Sequence, residues 1–155
     1  MSQKPTVVIG LGNLLLSDEG IGIHIINRLN EKKNRMSSEA ELLDLGTGEI
    51  SLLHAIAGRR KAIIVDCAFM DQEAGTIRKF TLDEIRSVKL LSHLSSHEND
   101  PVKIFELSRK LGECPAEVIF FGIQPEHITP ENSLSPTLRN RLEEYVNLLI
   151  AEIGP

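Results

Sequence analysis

The chain has no tryptophan, one tyrosine and aromatic residues at only 4% of its length. Platforms that bind single-stranded nucleic acid stack bases on aromatic faces, so this composition argues against one. Positive charge is also short, with 17 lysines and arginines against 22 acids and a formal net charge of -5. Nucleic-acid binding rests on a basic face. The only tight basic clusters are Lys32-Lys33 with Arg35, and Arg59-Arg60-Lys61. They read as a solvated helix end and a loop before a strand, so no nucleic-acid partner is expected. No apolar run approaches the ~20 residues that span a bilayer, and Met1-Ser2-Gln3-Lys4-Pro5 does not open a signal peptide. Membrane association is therefore not expected. Two cysteines, Cys67 and Cys114, lie far apart without a CxxC pair. That usage suits free thiols in a reducing cytoplasm, the expected location, and not a disulfide scaffold.

At 155 residues and 41% hydrophobic content, the chain has the size and apolar share of one compact domain with its own core, spanning residues 1–155. Its most informative stretch runs from Val7 to Gly22, where a buried strand meets Gly10 and Gly12, then the acids Asp18 and Glu19, then a helix start. A dinucleotide fingerprint would place a third glycine three residues after the second. Leu15 stands there instead. Two acids in the loop would also repel a pyrophosphate, and no Gly-Lys-Ser or Gly-Lys-Thr supports a P-loop. The loop suits a metal or a basic peptide better.

Thr6 to Gly10 reads as a strand buried on both faces, and Ile21 to Leu29 as an amphipathic helix. Further strands are expected at Glu41 to Leu45, Ala62 to Val65 and Val118 to Phe121, with Thr76 to Phe80 at an edge. Helices are expected at Ile50 to Ala57, Asp83 to Val88, and from Pro101, capped by Asp100, to Leu111. A last helix follows Ser135-Pro136. This alternation predicts a three-layer αβα sandwich around an about five-stranded, largely parallel twisted sheet. Ligands of such folds bind beyond the carboxyl ends of strands. The tips of strands one and three carry Asp18-Glu19 and Asp66, and the loop from Ser92 to Asn99 carries His93 and His97. Two carboxylates and a histidine make a mixed oxygen and nitrogen set for a divalent cation with open positions. Acids at strand ends serve equally as caps and turn formers, and spacing alone does not decide between the two.

The order of motifs does carry a resemblance. Gly10 to Gly22 follows the pattern Gly-x-Gly-Asn-x-Leu-x-x-Asp-Glu-x-Ile-Gly, and Asp44 to Thr47 gives Asp-x-Gly-Thr. They are followed by Ile63-Ile64-Val65-Asp66, Ser96-His97, Gly122-Ile123-Gln124-Pro125-Glu126 and Leu134-Ser135-Pro136-Thr137. Over nearly its whole length the chain resembles the hydrogenase maturation endopeptidases. These remove a C-terminal extension from the large-subunit precursor of nickel-iron hydrogenases after nickel insertion. The resemblance implies Glu19, Asp66 and His97 as both the metal-contacting and the catalytic residues. It also implies nickel carried by the substrate, with another divalent cation able to occupy the same site in the free enzyme. So placed, a cation would either polarise the scissile carbonyl or lower the pKa of a bound water from about 16 towards ~7, and both routes stay open. Leu45 and Ser133 depart from glycines common in the family's pattern.

The remaining residues have plainer readings. Asp18 is read as a capping or loop-ordering residue at the start of the first helix, capping being favoured, in preference to a base, and Asn13 is expected to bond loop backbone. His93 is read as solvated or as hydrogen-bonded behind the ligands, and His24, His54 and His127 as ordinary helix or loop histidines. Cys67 reads as a small buried hydrophobe, and Gly46-Thr47-Gly48 as a turn able to approach a substrate backbone. Two other functions compete. A nickel chaperone would use the same ligands without hydrolysis. Peptidyl-tRNA hydrolases share the opening Gly-Leu-Gly-Asn, but their Asn-Pro-Gly and histidine-asparagine pair are absent here.

Overall fold

The computed structural model describes residues 3–88 and 101–155. Its strands are β1 (Thr6–Leu11), β2 (Ala40–Gly46), β3 (Lys61–Cys67), β4 (Ile77–Thr81) and β5 (Glu117–Ile123), joined in the order β2-β1-β3-β5-β4. β1 pairs parallel with β2 and β3, β3 pairs parallel with β5, and only β4 runs antiparallel, at the edge. The helices are α1 (Ile21–Asn30), α2 (Glu49–Ile56), α3 (Leu82–Val88), α4 (Pro101–Lys110) and α5 (Pro136–Ile153). This is the three-layer, largely parallel α/β arrangement that the alternation predicts, with the edge strand where it was expected. Asp100, the expected cap of α4, lies outside the described residues. Ser135 does cap α5, its hydroxyl accepting from the Leu138 N–H at 3.4 Å with Pro136 beside it.

Two apolar layers explain the strand patterns. Ile9, Ile64 and Phe120 pack with α2, α3 and α4 on one face, where Phe105 meets Phe120 edge-on with ring centroids 5.4 Å apart. Val8, Ile63 and Val65 pack with α1 and α5 on the other. Strands covered on both sides need apolar residues at successive positions, so β1 and β3 read as continuous runs. β4, covered less, leaves Arg78 and Lys79 exposed. Two residues of the second basic cluster are absorbed by the fold, while Lys33, Arg35 and Arg60 stay exposed. Arg59 is buried, donating to the Ala55 and Lys4 carbonyls and to Glu41 at 2.6 Å, and Lys61 pairs with Glu152 at 2.8 Å. The second cluster does lead into a strand, β3, as expected, and Arg59 and Lys61 are held there by partners from other parts of the chain such as Lys4, Glu41 and Glu152.

Strand order reverses between β1 and β3, since the chain moves from β1 to β2 on one side and then to β3 on the other. The crevice of a doubly wound sheet opens at that point. Here glycine lets α1 start directly on the sheet. A Cβ on Gly22 would lie 2.4 Å from the Val65 carbonyl oxygen and 2.5 Å from that of Leu11, and one on Gly10 would lie 2.4 Å from the Gly22 oxygen. We predict that Gly22→Ala costs roughly 3 kcal/mol or more of stability, as overpacking against backbone that cannot yield. Gly112→Ala, strained by its φ of 71° but with nothing within 4 Å, should cost only about 1–2 kcal/mol. Denaturant melts of the two variants check the contrast.

Candidate active site

The first candidate side chain stands at the end of β3. Asp66 is 4% exposed and lies opposite Gly122 of β5. Strand alternation puts it on the same face as Ala62 and Ile64, while Cys67 joins Ile63 and Val65 in the opposite layer. Among the described residues, the Cys67 N–H donates to Asp66 Oδ1 at 2.8 Å. Burial pushes the Asp66 carboxyl up to about 8, against the pull of that N–H, and the Glu19 charge adds to the rise. Glu19 sits in a short 3-10 turn, Ser17–Gly20, that packs against β3. The crevice therefore brings two of the three sequence-predicted residues together. His97, and His93 with it, lie outside the described residues. Within those residues, no three His, Cys, Asp or Glu side chains gather as a cation cage.

Glycine fixes how closely the acidic turn approaches. Gly12, at a φ of +136° that side chains rarely adopt, passes so near Glu19 that a Cβ there would fall 2.0 Å from its carbonyl oxygen. Asn13 Oδ1 accepts from the Leu15 N–H at 2.9 Å, the loop-backbone role expected of it. The neighbouring turn after β2 is closed by the Gly46 N–H donating to Asp44 Oδ1 at 3.0 Å, and it is tied to the first loop by the Gly12 N–H on the Gly46 carbonyl at 2.9 Å. A cavity of about 270 Å³ opens between the two loops, lined by Gly12, Asn13, Leu14, Ile23, Asp44, Gly46 and Thr47. Leu45 packs against the core beside it.

Asp18 does not cap a helix. Neither the 3-10 turn nor α1 has a side-chain cap. Fully buried, Asp18 instead accepts three backbone N–H groups from the segment after β5: Glu126 at 2.9 Å, His127 at 3.3 Å and Ser135 at 2.8 Å. Ser17 joins the same clamp, its hydroxyl donating to the His127 carbonyl at 3.0 Å and accepting from the Thr129 N–H at 2.9 Å. These bonds hold Ser17 at a φ of 44°, which a residue with a side chain adopts only when over-determined by its surroundings. Gln124 does similar work for the loop after β3, accepting from the Met70 N–H at 2.6 Å. Sequence reasoning missed both roles. The only sequence signals were the doubled acid and the Gln124-Pro125-Glu126 segment.

The other residues divide clearly. Burial pushes the Cys67 thiol well up, and the charges of Asp66, Glu19 and Asp18 push it further, so it is a packed thiol and not a nucleophile. His54 is exposed on α2. His24 departs from the expectation of ordinary hydrogen bonds, because its buried Nε2 finds no partner among the described residues. Burial pulls its pKa down, opposed by Asp18. Chemically, the crevice offers a buried carboxyl that keeps its proton near neutrality beside a second carboxylate. A cation between the two would take the proton's place.

Asp18→Ala strands three buried N–H groups and should cost about 3–5 kcal/mol, measurable by denaturant unfolding. For Asp66 the sign is opposite to that of a paired carboxylate. Its folded-state value lies above the ordinary 3.8, so the unfolded chain releases this proton first. Its contribution to stability is whole below pH ~4 and is lost as pH climbs to about 8. The melting temperature of Asp66→Asn, relative to the unsubstituted protein, should therefore rise across that window, as parallel thermal melts over the pH range would show.

With this geometry in place, comparison with known proteins assigns the family. Residues 23–152 match the hydrogenase maturation protease model. The chain is 29% identical over 147 residues to the hydrogenase 2 maturation protease of Escherichia coli, covering 95% of this chain and 89% of that one. It is 27% identical over 150 residues to a hydrogenase expression/formation protein of Thiocapsa roseopersicina, covering 96% and 67%. Among solved structures, the hydrogenase maturating endopeptidase of E. coli superposes with a TM-score of 0.79 at 27% identity, over 95% of this chain and 90% of that one. A nickel-iron hydrogenase maturation protease of Thermococcus kodakarensis shares the fold with a TM-score of 0.72 at 21% identity, over 96% and 99%. A tRNA hydrolase and a nonhydrolytic chaperone give way to these matches: the chain belongs to the hydrogenase maturation protease family and is an endopeptidase.

Proposed function

We propose that this endopeptidase removes the C-terminal extension of a nickel-iron hydrogenase large-subunit precursor once nickel is in place, in the cytoplasm, by reading the metal that the precursor carries. The observation that best supports this is the approach of Glu19 to the buried, proton-holding Asp66 at the point where strand order reverses. Glu19 and Asp66 are assigned as oxygen ligands to the substrate's nickel, and His97, by the motif around it, as the nitrogen ligand. Another divalent cation can occupy the same residues in the free enzyme. A metal so placed supplies charge to a carbonyl or a water beside it. The protein's own residues do the rest. Asp66 would exchange its proton for the bound cation, Glu19 would offer its carboxylate from the 3-10 turn, and the Asp18 clamp holds that turn in place.

Incubation with nickel-loaded precursor should yield a product shortened at its C-terminus by mass, while metal-free precursor stays intact. Equal cleavage of both would sink the metal-reading mechanism, and cleavage of neither would leave a binding role alone. Glu19→Gln, Asp66→Asn and His97→Ala should each slow processing by at least about 100-fold. His93→Ala and Cys67→Ala should still process the precursor. Full activity in any of the first three removes that residue from the site.

A further inference from the structure

Large apolar side chains left in water are unevenly placed on this molecule. Of seven exposed ones among the described residues, Leu107, Leu111 and Leu148 lie on or just after α4 and on α5, while four, Leu14 (37% exposed), Leu15 (68%), Ile50 (65%) and Phe69 (42%), follow the carboxyl ends of β1, β2 or β3. That is the end carrying Glu19 and Asp66. Single exposed leucines are ordinary, but a group of them around one crevice marks an interaction surface.

The exposure of the β1 loop is built in and not a matter of slack. Asn13 holds this turn twice, through its side chain on the Leu15 N–H at 2.9 Å and its carbonyl on the Leu16 N–H at 3.1 Å, and Leu15 is presented outward. Leu14 is pinned beside the acidic turn, since a Cβ on Gly20 would lie 2.9 Å from its Cα. Ile50 comes from the first turn of α2, just beyond the Asp44–Thr47 turn that is bonded to the same loop. The 270 Å³ cavity lies in that seam, its walls mixing Leu14 and Ile23 with the polar Asn13, Asp44 and Thr47, with room for one side chain that need not be apolar.

We infer that Leu14, Leu15 and Ile50 form an apolar docking rim that grips an apolar stretch of the precursor polypeptide beside the cleavage point, with the cavity receiving one of its side chains. This rests on the function proposed above. The occupant is a protein segment because the substrate of an endopeptidase must reach Glu19 and Asp66, and a polypeptide arriving there from the β1 and β2 side crosses this rim. The rim is also continuous with the catalytic crevice. Its centre is acidic and its border apolar, which suits a neutral segment carrying a cation and repels an acidic one.

The test is steady-state cleavage of nickel-loaded precursor by Leu15→Gln and Ile50→Gln, with direct binding to the same precursor measured by interferometry. Leu148→Gln, on the far part of α5, serves as the control, and melts verify that all three fold. Each rim variant should raise KM and weaken binding by about tenfold, with kcat within about twofold, the pattern of lost uniform binding. The control should match the unsubstituted protein. Unchanged KM and binding in both rim variants overturns the rim, as does a dimer that Leu15→Gln dissociates without affecting KM. Absence of cleavage by the unsubstituted protein fails the proposed function, whereas weaker precursor binding by the rim variants would still uphold the rim.

Discussion

The site depends on a backbone contact that a single methyl group would forbid. Gly22, on the first turn of α1, lies against the Val65 and Leu11 carbonyls, and Gly10 lies against Gly22. Because α1 can begin there, the short turn before it is drawn over the end of β3, and Glu19 reaches Asp66. Had either glycine carried a side chain, α1 would have to stand off from the sheet and the two acids would separate. Gly10 and Gly12 resemble part of a nucleotide motif in sequence, yet here they serve close backbone packing. In a dinucleotide fold the freed space receives a pyrophosphate. Here it receives the Glu19 turn.

Two buried aspartates at this end of the sheet show how environment divides labour. Asp18 is satisfied by three backbone N–H groups, so its charge is spent within the protein as a tie between two loops. Asp66 has one such donor among the described residues and Glu19's charge nearby, so burial leaves it holding a proton. A carboxyl in that condition is costly to ionise until a positive charge arrives. The same burial that disfavours its bare charge makes it receptive to a cation.

The fold was legible because its signals are local. Apolar runs such as Ile63-Ile64-Val65 announce strands covered on both faces, and Ser135-Pro136 announces a helix start that the Leu138 bond realises. The Asp66 and Glu19 tips were legible from strand alternation and the rule that ligands gather at carboxyl ends. Asp18 was misread because its partners are backbone N–H groups more than a hundred residues away, and backbone donors leave no trace in residue identity. The bonds that bury Arg59, in the loop expected before β3, left no trace for the same reason, since two of the three go to carbonyls. His97, which lies outside the described residues, was nominated only through the motif around it, because a single histidine in a polar stretch of sequence has no local signature of what it faces.

On the proposed reading, incompleteness of the site is itself functional. Two carboxylates are hard donors, and a borderline ion such as nickel favours nitrogen and sulfur. Two such carboxylates with the single nitrogen assigned to His97 leave coordination positions open and would hold it weakly, and Asp66 must first lose a proton that burial favours. A full protein cage would invite free metal and uncouple cleavage from maturation of the precursor. A partial one gains strength only when the precursor brings the remaining ligands. The apolar rim then acts separately from the acids. It supplies affinity that does not depend on the metal, while Glu19 and Asp66 decide whether the bound chain is ready to be cut.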